Sequence, residues 1–114
     1  MEDFYHLLFL QYIGYEQLLK SLIDSTTGDK IAKIKEQFTA WKLKKDKLTI
    51  PPLIKALGDK DSRIREMVID AMGEIADKND KEVLNTLGKI SNEDIDKKIR
   101  KLAKKTKKKI EKGK

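Results

Sequence analysis

The sequence contains no cysteine and only one histidine, His6, among its 114 residues. The missing cysteines exclude disulfide bonds, thiol nucleophiles and thiolate-ligated metals, and they favour a reducing, intracellular compartment. With a single imidazole, a zinc site would need mostly carboxylate ligands, which is unusual. We therefore predict no metal and no cofactor, and we interpret His6 as a structural residue of an apolar helix rather than as a catalytic base.

Glycine-rich motifs and long apolar runs are also missing. The six glycines are scattered, and neither GxGxxG nor GxxxxGK[ST], the patterns of phosphate-binding loops, occurs. The uncharged run from Phe4 to Tyr15 is shorter than the roughly 20 apolar residues that a membrane span needs. It follows acidic residues, whereas a signal peptide begins with basic ones. The sequence thus predicts a cytoplasmic protein without a membrane span, and no group of titratable residues indicates an enzyme.

Charge is plentiful but unevenly spread. Charged residues make up 39% of the chain, well above the usual quarter or so. Lysine supplies most of the excess, and a high content of charged residues is a bias also seen in thermophile proteins. Residues 97–114 hold eleven Lys or Arg and one acid, a net charge of +10. Because the whole chain carries +7, the other 96 residues carry −3. The basic character therefore belongs to one C-terminal segment.

Apolar residues recur at helical spacing along the chain. Residues 53–77, LIKALGDKDSRIREMVIDAMGEIAD, form two short stripes around a Gly-Asp-Lys-Asp-Ser break, which predicts two helices joined by a tight turn. Pro51 and Pro52 suit the first turn of the earlier helix. Neither helix can bury its apolar face alone, so the pattern indicates a repeat architecture.

Two further helical pairs match this one. Aligning Ile64 on Ile99 gives a period of 35, and aligning it on Ile31 gives a period of 33. Ser91-Asn-Glu-Asp94 predicts the start of the last helix through a capping box. The sequence predicts one domain, residues 1–114, of three hairpins at about 3–47, 49–77 and 79–112. The second helices are expected near 29–46, 62–77 and 93–111.

The middle hairpin resembles a HEAT repeat of the short, phycobilisome-lyase-like kind. The resemblance rests on residues 53–59, LIKALGD, then Ile64-Arg65, then residues 71–75, AMGEI. It implies an all-α fold, a short right-handed α-solenoid of about three HEAT-like hairpins. The alternative is a compact bundle of five or six helices without repeat symmetry. The resemblance also implies that Asp59 and Arg65 form a structural strut between repeats, and that in the third copy only Arg100 matches, with Lys89 or Ser91 at the position of the Asp.

The Lys-rich last helix is the main candidate binding site. Six of its lysines recur opposite the apolar stripe from Ile99 to Ile110: Lys97, Lys101, Lys104, Lys105, Lys108 and Lys112. A basic amphipathic helix binds phosphate backbones, acidic membrane surfaces or acidic proteins. The competing interpretation is that these lysines only solvate the stack and pair with the acidic stripe of Glu66, Asp70 and Glu74.

Aromatic residues crowd the first helix. Phe4, Tyr5, Phe9 and Tyr12 are distributed around it rather than along one face, and helices of this kind are normally buried. Two hypotheses remain, packing within the core and a homodimer or partner contact through this surface.

From these features we predict a non-enzymatic scaffold or adaptor module whose partner is a protein, and an acidic one if the lysines bind it. The alternative is a nucleic-acid-binding protein that acts through the last helix.

Overall fold

The structure, a computed structural model, describes residues 2–24 and 29–113, with side chains from Ile13 onward. Those ranges contain helices and no strand. The helices are α1 (Glu2–Asp24), α2 (Lys30–Lys44), α3 (Ile50–Ala56), α4 (Ser62–Ile75), α5 (Lys81–Glu93) and α6 (Lys97–Glu111), with a 3₁₀ turn at Lys47–Thr49 before α3.

The helices pack as successive pairs in two layers. Within pairs, α1 contacts α2, α3 contacts α4 and α5 contacts α6. Along one layer α1 contacts α3 and α3 contacts α5, and along the other α2 contacts α4 and α4 contacts α6. This order of contacts is that of helical hairpins stacked one on the next. The predicted all-α, solenoid-like fold is confirmed.

The core lies between the two layers. Trp41 and Phe38 of α2 are 1% and 2% exposed, and Ile64 of α4 and Ile99 of α6 are 0% and 1% exposed. Tyr15 of α1 meets the Trp41 ring edge-on at 5.3 Å between centroids, and its hydroxyl donates a hydrogen bond to Asp46 Oδ2 at 2.8 Å. The long α1 is thereby attached to α2 and to the segment that leads into α3.

Local sequence signals determine where most of these helices begin. Pro51 and Pro52 occupy the first turn of α3, as predicted. The Asp61 side chain accepts a hydrogen bond from the Arg63 N–H at the start of α4, a typical N-cap contact. The Arg63 side chain also donates to this carboxylate, and that hydrogen bond lowers the pKa of Asp61 below its usual value.

The predicted start of the last helix is wrong. Helix α5 continues through Glu93, and Asp96 rather than Ser91 is the N-cap of α6. The Ser91 hydroxyl donates to the Gly88 carbonyl inside α5 at 2.7 Å, so the predicted capping box does not form. The other second helices, at 30–44 and 62–75, begin within one residue of the predicted positions.

Glycine at position 73 allows α4 and α6 to approach closely. A Cβ atom built on Gly73 would lie 3.1 Å from Thr106 Cγ2, whereas one built on Gly14 of α1 would have no atom within 4 Å. We expect Gly73→Leu to lower the free energy of unfolding by about 1–3 kcal/mol through overpacking. The matched variant Gly14→Leu should instead raise it by about 0.5–1 kcal/mol, because glycine is a poor helix former. Urea denaturation followed by circular dichroism measures both, and equal effects would contradict the close α4–α6 contact.

Candidate functional site on the last helix

Helix α6 has one buried and one fully exposed side. The Asp96 side chain caps its start by accepting a hydrogen bond from the Lys98 N–H at 2.8 Å. Four buried residues, Ile99, Ala103, Thr106 and Ile110, follow at helical spacing, and the helix contacts both α4 and α5. Two neighbouring helices thus hold α6 in place, which leaves its opposite side in solvent.

The six predicted lysines all lie on this opposite side and are exposed. We call this surface the lysine face: Lys97, Lys101, Lys104, Lys105, Lys108 and Lys112. Within residues 13–24 and 29–113, where side chains are described, none of the six forms an ion pair. The face extends about 22 Å along the helix, given a rise of about 1.5 Å per residue. It therefore carries six uncompensated positive charges in a row.

Other lysines of α6 behave differently because they flank its buried side. Lys98 pairs with Glu66 at 3.4 Å and Lys109 pairs with Glu74 at 2.9 Å, both on α4. Lys107 pairs within α6, with Glu111 at 3.4 Å. Exposed pairs of this kind contribute about 0–1 kcal/mol each.

The acidic stripe of α4 is thus neutralised by lysines outside the lysine face. Asp70 pairs with Lys42 of α2 at 2.7 Å, while Glu66 and Glu74 pair with α6. The prediction that these acids pair with the opposing basic helix is therefore correct in part, and it does not account for the charge of the lysine face.

Comparison of α4 with α6 shows how the two helices differ. With Arg65 aligned on Arg100, the core stripe is buried in both: Ile64 and Ile99, Val68 and Ala103, Ala71 and Thr106, Ile75 and Ile110. A second stripe is also buried in α4, on the side where Gly73 lies against Thr106 of α6: Ile69, Met72, Gly73 and Ala76. The corresponding residues of α6 are Lys104, Lys107, Lys108 and Glu111.

The second buried stripe is the stacking surface of α4. The side of α6 at the equivalent positions, which we call the end surface, is polar and basic. A polar outer face is what a terminal, capping repeat requires. Part of the lysine face, Lys104 and Lys108, lies on this end surface, and the rest continues around the exposed side. The charge of α6 is consistent with a stack that presents a basic surface at this end rather than an apolar one.

Arg65, the predicted strut residue, connects two hairpins. Its Nε and Nη2 atoms donate to the Asp94 carboxylate at 3.0 and 3.2 Å, and its Nη1 donates to the carbonyls of Asp59 and Lys60 at 2.9 and 3.1 Å. The side chains of Arg65 and Asp94 are only 9% and 5% exposed. This is a buried, bidentate ion pair between the second and third hairpins.

Asp59 takes part in the strut through its backbone rather than through its carboxylate. The Asp59 side chain accepts a hydrogen bond from the Asp61 N–H at 2.8 Å and shapes its own turn. Sequence reasoning missed Asp94, because it placed Lys89 or Ser91 at the position equivalent to Asp59. Asp94 lies 35 residues after Asp59, the same offset as Arg100 from Arg65, and this signal was available in the sequence.

A second surface, across α2, α4 and α6, carries charges of both signs. A groove of about 370 Å³ is lined there by the apolar residues Ile31, Met67 and Leu102 and by Lys35, Lys42, Arg63, Glu66 and Asp70. Asp70 pairs with Lys42 inside the groove and Glu66 pairs with Lys98 beside it. Because the lining holds three cations and two acids, this groove has less net charge than the lysine face.

The predicted aromatic contact surface lies outside the described side chains. Phe4, Tyr5, Phe9 and Tyr12 belong to α1, whose side chains are described from Ile13 onward. A homodimer or partner contact through these residues stays a prediction. His6 lies in the same segment.

No helix in the described ranges is long and apolar enough to cross a bilayer. Among the same residues, no three His, Asp or Glu side chains come together in a way that would hold a metal ion.

Comparison with known proteins identifies the repeat type. The family model of HEAT repeats matches residues 15–106, which include the C-terminal part of α1 and all the later helices except the end of α6. The chain has no significant match among curated proteins or among solved structures. The family match covers well over half of the sequence and agrees with the stacked hairpins and the Arg65 contacts, so the chain belongs to the HEAT-repeat family.

Proposed function

We propose that the protein is a non-enzymatic interaction module, a scaffold or adaptor, that binds an acidic protein surface through the lysine face. HEAT repeats are generally protein-interaction scaffolds. The observation that carries the proposal is the set of six exposed lysines that have no acidic partner among the side chains the structure describes. Residues 1–96 carry a net charge of −3 and residues 97–114 carry +10, so the positive charge of the protein is concentrated on this C-terminal segment.

The physical argument is electrostatic. Like charges on one helix repel each other, and an acidic partner removes that repulsion as it binds. A one-signed surface also steers an oppositely charged partner toward it and raises the association rate. Because α4 and α5 hold α6 in place, its backbone is ordered before binding, and association does not have to fold the helix.

A protein partner is favoured over nucleic acid by what the face contains. Its members are all lysines, and it has neither arginine forks for guanine edges nor aromatic rings on which bases stack. Lysines alone still bind phosphate backbones without sequence preference, so a nucleic-acid partner is the alternative. We further propose a single domain of three hairpins, about 3–47, 49–77 and 79–112, and a cytoplasmic location, supported by the absence of cysteine.

Charge reversal on the lysine face tests the proposal. The variant Lys101→Glu, Lys105→Glu and Lys108→Glu lowers the net charge from +7 to +1 at positions away from the core. At about 150 mM salt, we expect the wild-type protein to bind a fluorescein-labelled peptide of about ten glutamates. The variant should bind it about 30-fold more weakly, a loss of about 2 kcal/mol shared among three surface ion pairs and the new repulsion. Fluorescence anisotropy measures the affinity.

The control carries the same change of charge elsewhere. Lys20→Glu, Lys60→Glu and Lys81→Glu replace exposed lysines of α1, the α3–α4 turn and α5, and this variant should bind the peptide within about threefold of the wild type, since long-range charge effects are screened. Equal losses in both triple variants would contradict a site on α6.

Duplex DNA separates the two candidate functions. If the protein bound DNA or RNA at micromolar or tighter affinity at about 150 mM salt, and the α6 variant lost this binding, the partner would be nucleic acid. Its affinity would then fall with salt with a log–log slope of about −0.9 per phosphate contacted.

A further inference from the structure

The Arg65–Asp94 pair is an internal example of how this fold binds a carboxylate. One edge of the guanidinium, Nη1, is fixed by the carbonyls of the preceding turn. The other edge, Nε with Nη2, points to the next hairpin and binds both oxygens of Asp94. The carbonyls of the turn therefore orient the arginine, and its outer edge, Nε with Nη2, donates both hydrogen bonds to the carboxylate.

Arg100 repeats the inner half of this arrangement, in which Nη1 is fixed by the carbonyls of the preceding turn. Its Nη1 donates to the carbonyls of Asp94 and Ile95 at 2.6 and 3.3 Å, as Nη1 of Arg65 does to the turn 35 residues earlier. The turns themselves match, because the Asp96 N–H donates to Asp94 Oδ1 at 2.8 Å as the Asp61 N–H does to Asp59. Arg100 is thus held as Arg65 is held.

The outer edge of the Arg100 guanidinium, Nε with Nη2, binds no carboxylate among the described residues. In residues 13–24 and 29–113, no acceptor is bonded to its Nε or Nη2. An arginine edge of this geometry matches a carboxylate through two parallel hydrogen bonds. The same edge of Arg65 is saturated by Asp94.

The surroundings of Arg100 determine which kind of partner fits. Around Arg65, the stacking surface is apolar, with Ile69, Met72 and Ala76. Around Arg100, the equivalent residues are Lys104, Lys107 and Glu111, and only Lys107 and Glu111 pair with each other. A hairpin with an apolar face would bury lysines here, which is costly, whereas an acidic segment would meet Lys104 and Lys108, which have no acidic partner among the described residues.

We propose that Arg100 is a carboxylate-docking residue, which binds an Asp or Glu side chain of an acidic protein segment laid along the end surface of α6. The inference rests on the proposed binding of an acidic protein and names the residue that fixes its position. Lys97 and Lys104 flank Arg100 and attract the acidic segment, while the guanidinium fork selects a planar carboxylate in one orientation.

The test replaces the fork and keeps the charge. We expect Arg100→Lys to weaken binding of the ten-glutamate peptide about tenfold or more at about 150 mM salt, because an ammonium group cannot reproduce the bidentate contact. Arg63→Lys is the matched control, since Arg63 is exposed and pairs with Asp61 of its own turn. It should bind within about twofold of the wild type, because Arg63 lies on α4, outside both the lysine face and the end surface of α6.

A second measurement uses the unmodified protein. In ¹⁵N-edited NMR spectra, the Arg100 Nε–H resonance should shift as the peptide is added and should saturate with the same dissociation constant as the anisotropy. The Arg63 Nε–H resonance should not shift. This readout does not depend on how well the Arg100→Lys variant folds.

The outcomes distinguish this inference from the proposed function. If Arg100→Lys binds like the wild type and the Arg100 resonance does not move, while the lysine triple variant loses binding, the docking role is wrong and the proposed function stands. If the wild-type protein does not bind the peptide, both are wrong. A response of the Arg100 resonance to duplex DNA but not to the peptide would assign the site to phosphate and overturn the proposal.

Discussion

Replacing Arg65 by alanine is expected to lower the free energy of unfolding by about 3–5 kcal/mol, the loss that follows when one partner of a buried ion pair is removed. The Asp94 carboxylate, 5% exposed, would keep the hydrogen bond from its own turn but lose its counter-charge. The carbonyls of Asp59 and Lys60 would also lose their shared donor. Urea denaturation followed by circular dichroism measures the change.

The neighbouring arginine provides the control for this prediction. Arg63 lies two residues away on the same helix, but its side chain is 68% exposed and pairs with Asp61 of its own turn. Arg63→Ala should change the free energy of unfolding by no more than about 1 kcal/mol. Similar losses in both variants would show that Arg65 does not join the second and third hairpins in solution. A double-mutant cycle with Asp94→Ala should give a coupling energy of about 0.5–3 kcal/mol.

Ile69→Lys should have a comparably large effect, and it tests the difference between α4 and α6. Ile69 is 0% exposed in the stripe that the third hairpin covers. Burial of such a side chain contributes about 1.5–3 kcal/mol, and a lysine at this position would add the cost of a desolvated charge. We expect a total loss of about 4 kcal/mol or more, which is a large part of the stability of a typical domain. Thermal and urea unfolding both measure it.

The reciprocal substitution is expected to be tolerated. Lys104 occupies the equivalent position of α6 and is exposed, so Lys104→Ile should change stability by about 0.5 kcal/mol or less. It should also increase self-association, because an apolar residue then lies on the end surface. Analytical ultracentrifugation detects this change. If Ile69→Lys proved as mild as Lys104→Ile, the third hairpin would not cover α4 as described.

Together these experiments test stability at positions of α4 and binding at the equivalent positions of α6. Arg65 and Ile69 belong to the surface that joins hairpins. Arg100 and Lys104 occupy the same two positions 35 residues later, where the neighbouring side chains are charged. The repeat therefore uses one backbone arrangement twice, once to hold the stack together and once to present a basic surface.

The sequence by itself determined the helices and their exposed sides. The apolar spacing of Ile64, Val68, Ala71 and Ile75 predicted the buried stripe of α4, and the same period placed the six lysines of α6 in solvent. These predictions succeeded because the periodicity of a helix is local, since 3.6 residues per turn fix which side chains share a face. The HEAT-like arrangement followed because short amphipathic helices bury their faces only by stacking.

The tertiary structure alone decided which charged groups meet. The sequence offered the six lysines as partners of the acidic stripe, but Asp70 pairs with Lys42 of α2. Glu66 and Glu74 pair with α6 lysines outside the lysine face. It also missed Asp94 as the ligand of Arg65. Such contacts depend on how far one helix is displaced along its neighbour and on where each turn begins. The periodicity of a single helix predicts neither the displacement nor the position of the turn. Only the packed hairpins show that the lysines flanking the buried side of α6 are neutralised, while those of the lysine face are not.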